Sequence, residues 1–231
     1  MKPYFETDLG KLYHGDCLEI MPELEPVDLV LTDPPYGVNY KGTSKSQSVQ
    51  NRKTPPAFLA KKPIVGDDKD FNPKPFLNYN DVMFFGGNHF SNKLPVSNGW
   101  VVWDKLDGTN PSSFGDFDMI WHKKGTRNSL VRCLWRGICQ YGEKGKRLHQ
   151  NQKPLKVINY LIELTKANAI LDPFIGSGTT AIACEKLNRR WIGIEISEEY
   201  CEIAALRIDR LQTQDTKEHP NVKRKGLRPY L

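Results

Sequence analysis

"ILDPFIGSGTTAIACEKL", residues 170–187, decides how this chain of 231 residues folds. The apolar run "AILDPF" (169–174) reads as a buried strand that stops at Asp172 and Pro173. A turn through Gly176, Ser177 and Gly178 follows, and "GTTAIACEKLN" (178–188) then reads as a helix. Glycine lets the backbone pass close to a ligand where a Cβ would block it, and the free N–H groups of a helix start favour a negative group. The next strand, "RWIGIE" (190–195), ends in Glu195, seventeen residues after Gly178. An acid at that place can accept both hydroxyls of a ribose. The same residues, G-S-G-T-T-A, also fit the dinucleotide fingerprint G-x-G-x-x-A, and they suit a plain strand-to-helix turn equally well. A P-loop is excluded, because no Gly-Lys-Ser/Thr follows.

Outward from this unit the rhythm repeats. "VDLVLT" (27–32), "DVMFFGG" (81–87), "GWVVWD" (99–104) and "FDMIWH" (117–122) read as further strands. "PLKVINYLIELTKA" (154–167) and "SEEYCEIAALRIDRLQ" (197–212) read as helices, the first opened by Pro154 and the second capped by Ser197. Strands and helices at these spacings predict an α/β fold, a doubly wound, mostly parallel sheet in a single domain. Residues 37–80 lack periodicity and predict a long mobile loop. The basic, glycine-punctuated stretch after residue 122 predicts an insertion outside the core, and the polar tail 213–231 a frayed end.

"LVLTDPPYGVNY" (29–40) places a carboxylate, two rigid residues and an aromatic ring at the lip of a strand. Ligands of doubly wound sheets sit beyond the carboxyl ends of the strands, so this motif and the glycine turn can share one crevice. Asp33 can accept an N–H, the Pro34 carbonyl a second, and Tyr36 can stack on a planar ring. Together they suit the exocyclic amino group of a base.

Charge points the same way. The net charge is +6, yet Trp121 to Lys156 holds ten Lys or Arg against one acid. Aromatic residues interleave with these cations, which suggests a polyanionic partner, although a solvated face is the plainer alternative. The apolar runs are too short to span a bilayer and the N-terminus lacks a signal-peptide core, so the expectation is a cytoplasmic protein with no membrane partner. Five scattered cysteines with no C-x-x-C pair argue for reduced thiols rather than disulfides or a metal site.

At these motifs the chain resembles the S-adenosylmethionine-dependent DNA amino-methyltransferases, in the permuted β group where the catalytic motif precedes the cofactor motif. Asp33-Pro34-Pro35-Tyr36 is similar to the family's D-P-P-Y, and Phe174 to Gly178 to its F-x-G-x-G. "HGDCLE" (14–19) resembles the segment whose acid contacts the cofactor adenine, and "HQNQKPL" (149–155) resembles H-P-T-Q-K-P, with Gln150 and Asn151 departing from it. The resemblance implies catalytic roles for Asp33, Pro34, Pro35 and Tyr36. Around the cofactor it implies Asp16, Cys17, Asp33 and Lys153, the last near the methionine carboxylate. It adds Asp172, Phe174, Gly176, Gly178, Thr179 and Glu195 from the glycine-turn unit.

Residues 1–212 would form the catalytic domain and 123–148 its target-recognition insertion. Lys123, Lys124, Arg127, Arg132, Arg136, Lys144, Lys146 and Arg147 would grip DNA phosphates. The implied activity is site-specific transfer of a methyl group to N6 of adenine in duplex DNA, by base flipping and direct in-line transfer. Asp as the first motif residue favours adenine, and cytosine N4 is the alternative. An RNA or protein methyltransferase, a dinucleotide-dependent oxidoreductase and a non-catalytic DNA-binding relic are the rivals. Double-stranded DNA is the implied partner. A second copy of the chain and a cognate restriction endonuclease of a restriction-modification system are further candidates, and no metal is called for.

Overall fold

The computed structural model describes residues 1–38, 65–109, 115–136, 139–140 and 152–218, with the backbone alone given for 136, 139–140 and 214–218. In chain order the elements are β1 (Phe5–Glu6), β2 (Gly10–His14), α1 (Cys17–Ile20), β3 (Leu29–Thr32), β4 (Asp81–Phe85), β5 (Gly99–Asp104) and β6 (Phe117–His122). Then come β7 (Ser129–Arg132), β8 (Trp135–Arg136), β9 (Cys139–Gln140), α2 (Leu155–Thr165), β10 (Ala169–Asp172), α3 (Thr179–Lys186), β11 (Arg190–Glu195) and α4 (Glu198–Glu218). Among the described residues nine strands form one sheet in the order β1-β2-β11-β10-β3-β4-β6-β5-β7. The run from β2 to β4 is parallel throughout. β6 runs against its neighbours β4 and β5, β1 runs against β2, and β7 lies parallel to β5.

Alternation sorts the core onto the two faces of this sheet. Leu29, Leu31, Met83, Phe85 and Ile170 point to one side and pack beneath Val157, Leu161, Ala183 and Ala204 of α2, α3 and α4. Val30, Val82, Phe84 and Leu171 point to the other side. There the cover is the four-residue α1 and three 3₁₀ turns, Met21–Glu23, Phe76–Asn78 and Gly87–Lys93. Aromatic packing stands in for a long helix on this face: the Phe71 ring lies 5.0 Å from Phe90, 5.5 Å from Phe76 and 5.7 Å from Phe84.

Three expectations change. Residues 65–80 are not loose loop, because Phe71 and Phe76 are buried in this cluster. The segment after residue 122 is not wholly outside the core: β7 is a sheet strand and Val131, Cys133 and Trp135 are buried. Finally, α4 continues to Glu218, past the 212 boundary set for the tail. Residues 39–64, most of the supposed 37–80 loop, lie outside the described residues. No helix among the described residues is long and apolar enough to cross a membrane.

Candidate active site

The carboxyl ends of β3 and β10 meet at a buried joint. Asp172, which closes β10, accepts the Thr32 hydroxyl at 2.7 Å, the Thr180 hydroxyl at 2.6 Å and the Phe174 N–H at 3.2 Å. Burial pushes its carboxyl up to about 6 despite these donors. Asp172, expected beside the cofactor, lines the cleft and also ties β3, the glycine turn and α3 to one another.

The two turn glycines divide the work expected of both. Gly176 has φ 53° and a Cβ placed on it would meet nothing within 4 Å, so it faces open cleft. Gly178, at φ 85°, would put a Cβ 3.0 Å from that of Ala204 on α4. It is therefore a packing glycine that also caps α3. Arg207 reaches over from α4 and donates to the Ser177 hydroxyl at 2.9 Å, pinning the turn from behind. No motif marks Arg207 in the sequence, since only the packing of α4 brings it there.

Glu195 ends β11 with its carboxylate held from two sides, by the Gly176 N–H at 2.9 Å and the Ser197 N–H at 2.9 Å. Burial raises its pKa, against the pull of those N–H groups. Each oxygen keeps a lone pair for a further donor. Asp16 caps α1 by accepting the Leu18 N–H at 2.8 Å. Cys17 beside it lines the same cleft, and burial, then the Asp16 charge, drives its thiol up to about 12, so it stays protonated.

Across the cleft stands Asp33, one residue past β3. Its Oδ1 accepts the Tyr36 hydroxyl and its Oδ2 accepts the Lys153 ammonium. Burial, then the charge of Asp33, holds the Tyr36 phenol well above its usual range, so it remains a donor. The Tyr36 ring stacks on His89 with centroids 4.8 Å apart, and Gly86 leaves room for it where a Cβ would sit 2.3 Å from the ring. One face of the ring is thus already covered. Buried Asp67 accepts the Gly37 N–H at 3.0 Å and the Val38 N–H at 3.3 Å, fixing the chain just beyond the motif. His89 and Asp67 carry no signal in the sequence; they become visible only when β4 and the 65–70 segment fold against the motif.

Asp16, Asp33, Tyr36, Lys153, Gly176 and Glu195 all line one cleft of about 850 Å³. That volume is large enough for a nucleoside and a planar ring together, since pockets for single ligands run to about 300–1,000 Å³. The residues present fit a nucleoside cofactor: an open glycine, a helix start and a carboxylate with its orientation set by backbone N–H groups. Gly178 does not line the cleft.

The cations predicted to grip phosphates do not share one surface. Because β6 runs antiparallel, its end at His122 lies beside the start of β4, away from the cleft. Lys123 there donates to the carbonyls of Leu77 at 2.9 Å and Tyr79 at 2.6 Å, and the Lys124 N–H bonds Asp81 at 3.1 Å. Lys123, Lys124 and Arg127 are thus at the wrong end of the sheet for a substrate in the cleft. Arg132, at the end of β7, lies on the cleft side and pairs with Asp104 at 3.4 Å. Arg136 lies in β8, and Lys144, Lys146 and Arg147 lie outside the described residues. At the cleft wall the ion pair of Lys105 and Asp118, with Lys105 5.5 Å from the Trp103 ring centre, is a feature no sequence motif marks.

A family model described as DNA methylase matches residues 104–206. The Type II methyltransferase M2.LlaDCHI of Lactococcus lactis subsp. cremoris is 26% identical over 253 residues, covering 90% of this chain and 93% of its own. M2.MboI of Moraxella bovis, also a Type II methyltransferase, is 27% identical over 254 residues, covering 90% and 91%. Among solved structures, the PvuII DNA methyltransferase (cytosine-N4-specific) superposes with a TM-score of 0.56 over 89% of this chain and 88% of its own, at 18% identity. That last likeness bears on the fold.

Proposed function

We propose that this chain is an S-adenosylmethionine-dependent DNA amino-methyltransferase that methylates N6 of adenine in duplex DNA, with the base flipped into the cleft. The observation that carries this reading is the placement of Asp33 and Gly176 just beyond neighbouring strand ends, both lining one cleft. The bound cofactor would supply an electrophilic methyl group. The chain's own residues supply the rest. Glu195 and Asp16 accept hydrogen bonds from the nucleoside, and Gly176 gives it room.

An aromatic amine is a poor nucleophile because its lone pair is delocalised into the ring. Asp33 and the Pro34 carbonyl accept its two N–H groups and favour a more tetrahedral nitrogen, which frees the lone pair for in-line attack, and the proton that the methylated nitrogen must shed would leave by way of Asp33 to water. Pro35 keeps the motif rigid. Tyr36, which lines the cleft, stacks on the flipped base. Reading of the target sequence, and grip on its phosphates by Arg132, Arg136, Lys144, Lys146 and Arg147, complete the proposal.

The test is incubation with tritiated S-adenosylmethionine and unmethylated duplex DNA, followed by nucleoside mass spectrometry. N6-methyladenine is the expected product. N4-methylcytosine would move the acceptor base to cytosine and leave the amino-methyl chemistry standing. Label in RNA or protein but not in DNA would overturn the proposal.

A further inference from the structure

We propose that Lys153 is a positioning residue for Asp33: its ammonium fixes the carboxylate in the orientation from which Asp33 receives the target amino group. The inference rests on the methyl-transfer reading of the cleft. It departs from the role that the sequence resemblance implies, in which this lysine serves the cofactor's carboxylate.

Four observations carry it. The Lys153 ammonium bonds Asp33 Oδ2 while the Tyr36 hydroxyl bonds Oδ1, so each oxygen has one donor and the group cannot rotate without breaking a hydrogen bond. A carboxylate has about four lone-pair sites, which leaves acceptor capacity for an amino N–H. The pair is sheltered, with side-chain exposure of 15% for Lys153 and 22% for Asp33, so solvent screening is reduced. Lys153 Nζ also lies 5.1 Å from the centre of the Phe85 ring at the end of β4, a second contact for the cation. Lys153 therefore ties the segment that leads into α2 to the ends of two neighbouring strands, β3 and β4. A lysine waiting for a ligand in open cleft would need neither partner.

Lys153→Met, Lys153→Gln and Lys153→Arg separate the two roles. S-adenosylmethionine affinity is read by calorimetry, and the transfer rate by single turnover on unmethylated plasmid DNA at saturating cofactor. Affinity should stay within about threefold in all three variants. The rate should fall by roughly 10- to 100-fold in the Met and Gln variants, and Arg, which can still reach Oδ2, should recover most of it.

A fall in affinity of about tenfold or more, with an unimpaired rate at saturation, would assign the ammonium to the cofactor and overturn the proposal. A second measurement does not depend on activity: urea unfolding of the intact chain, Lys153→Met, Asp33→Asn and the double variant. The stability loss from Lys153→Met should largely vanish in the Asp33→Asn background, whereas additive losses would mean that the two side chains are not coupled. If the intact chain methylates no base, the reading of the site fails, and this cycle alone still decides the pairing.

Discussion

At the scale of single residues, Asp172 and Asp33 lie on neighbouring strands and do opposite things. Asp172 is a buried joint whose carboxyl titrates at about 6 rather than 3.8. Below both values it is protonated whether the chain is folded or not, and it costs nothing. Between them the unfolded chain gives up the proton while the folded chain keeps it, so stability falls as pH rises. Above about 6 a constant penalty of about 3 kcal/mol remains. Asp172→Asn should therefore gain stability relative to the parent from pH 4 to 6 and hold that gain above it, as read by urea unfolding across the range. A difference independent of pH would show that Asp172 is not the titrating group. Asp33→Ala should behave otherwise: cofactor affinity by calorimetry unchanged, transfer slower by about 10²–10³. Near-normal turnover on duplex DNA would remove Asp33 from the chemistry.

At the scale of elements, the glycine turn separates structure from binding within three residues. Gly178→Ala forces a Cβ against Ala204 at an αL position, so its cost should appear in stability, on the order of 1–3 kcal/mol by thermal unfolding. Gly176→Ala shares the left-handed backbone cost but meets no steric contact, so its stability loss should be the smaller of the two and cofactor affinity should fall by about tenfold or more. Reversal of these two outcomes would mean that the cofactor lies elsewhere. The sequence alone made no such distinction, because G-x-G records which residues need freedom and not what they face. Where burial is continuous the elements were legible: β3, β4, β10 and β11 lie within the stretches 27–32, 81–87, 169–174 and 190–195 read as strands. β2 was missed because "GKLYH" mixes buried and exposed positions irregularly within five residues, too few to establish a period. β7 was missed because its neighbours in sequence are basic. Asp67, His89 and Arg207 were not legible at all, since each acts on a motif far away in the chain.

At the scale of the molecule, the sheet has a working end and a far end, and charge must be sorted between them. Lys124→Ala combined with Arg127→Ala should leave DNA affinity and its salt dependence unchanged, because both lie at the far end. Removing Lys144, Lys146 and Arg147 should reduce the slope of log K against log salt by nearly one for every phosphate no longer neutralised. Filter binding over a salt series reads both. An effect of the first pair equal to that of the second set would place DNA across the whole molecule. A tally of ten cations could not foresee this division, because the reversal of β6 is a tertiary fact.

The strand order β2-β11-β10-β3 also governs how the protein comes into being. β2 and β3 are close neighbours in the chain, yet the gap between them is filled by two strands from the last third, and the bond from Thr32 to Asp172 spans 140 residues. A ribosome releasing this chain therefore exposes two unsatisfied strand edges until residues 169–195 have emerged. Nothing local can close them, so the centre of the sheet is the last part to form. Chains stalled near residue 150 should be bound by chaperones or clump, and a separately produced 152–231 piece, added during refolding, should rescue a 1–151 piece. Refolding of the intact chain should take milliseconds to seconds, as expected when distant segments must pair first. Submillisecond recovery in stopped-flow fluorescence, or a stable, protease-resistant 1–151 fragment on its own, would contradict an assembly that waits for its final third.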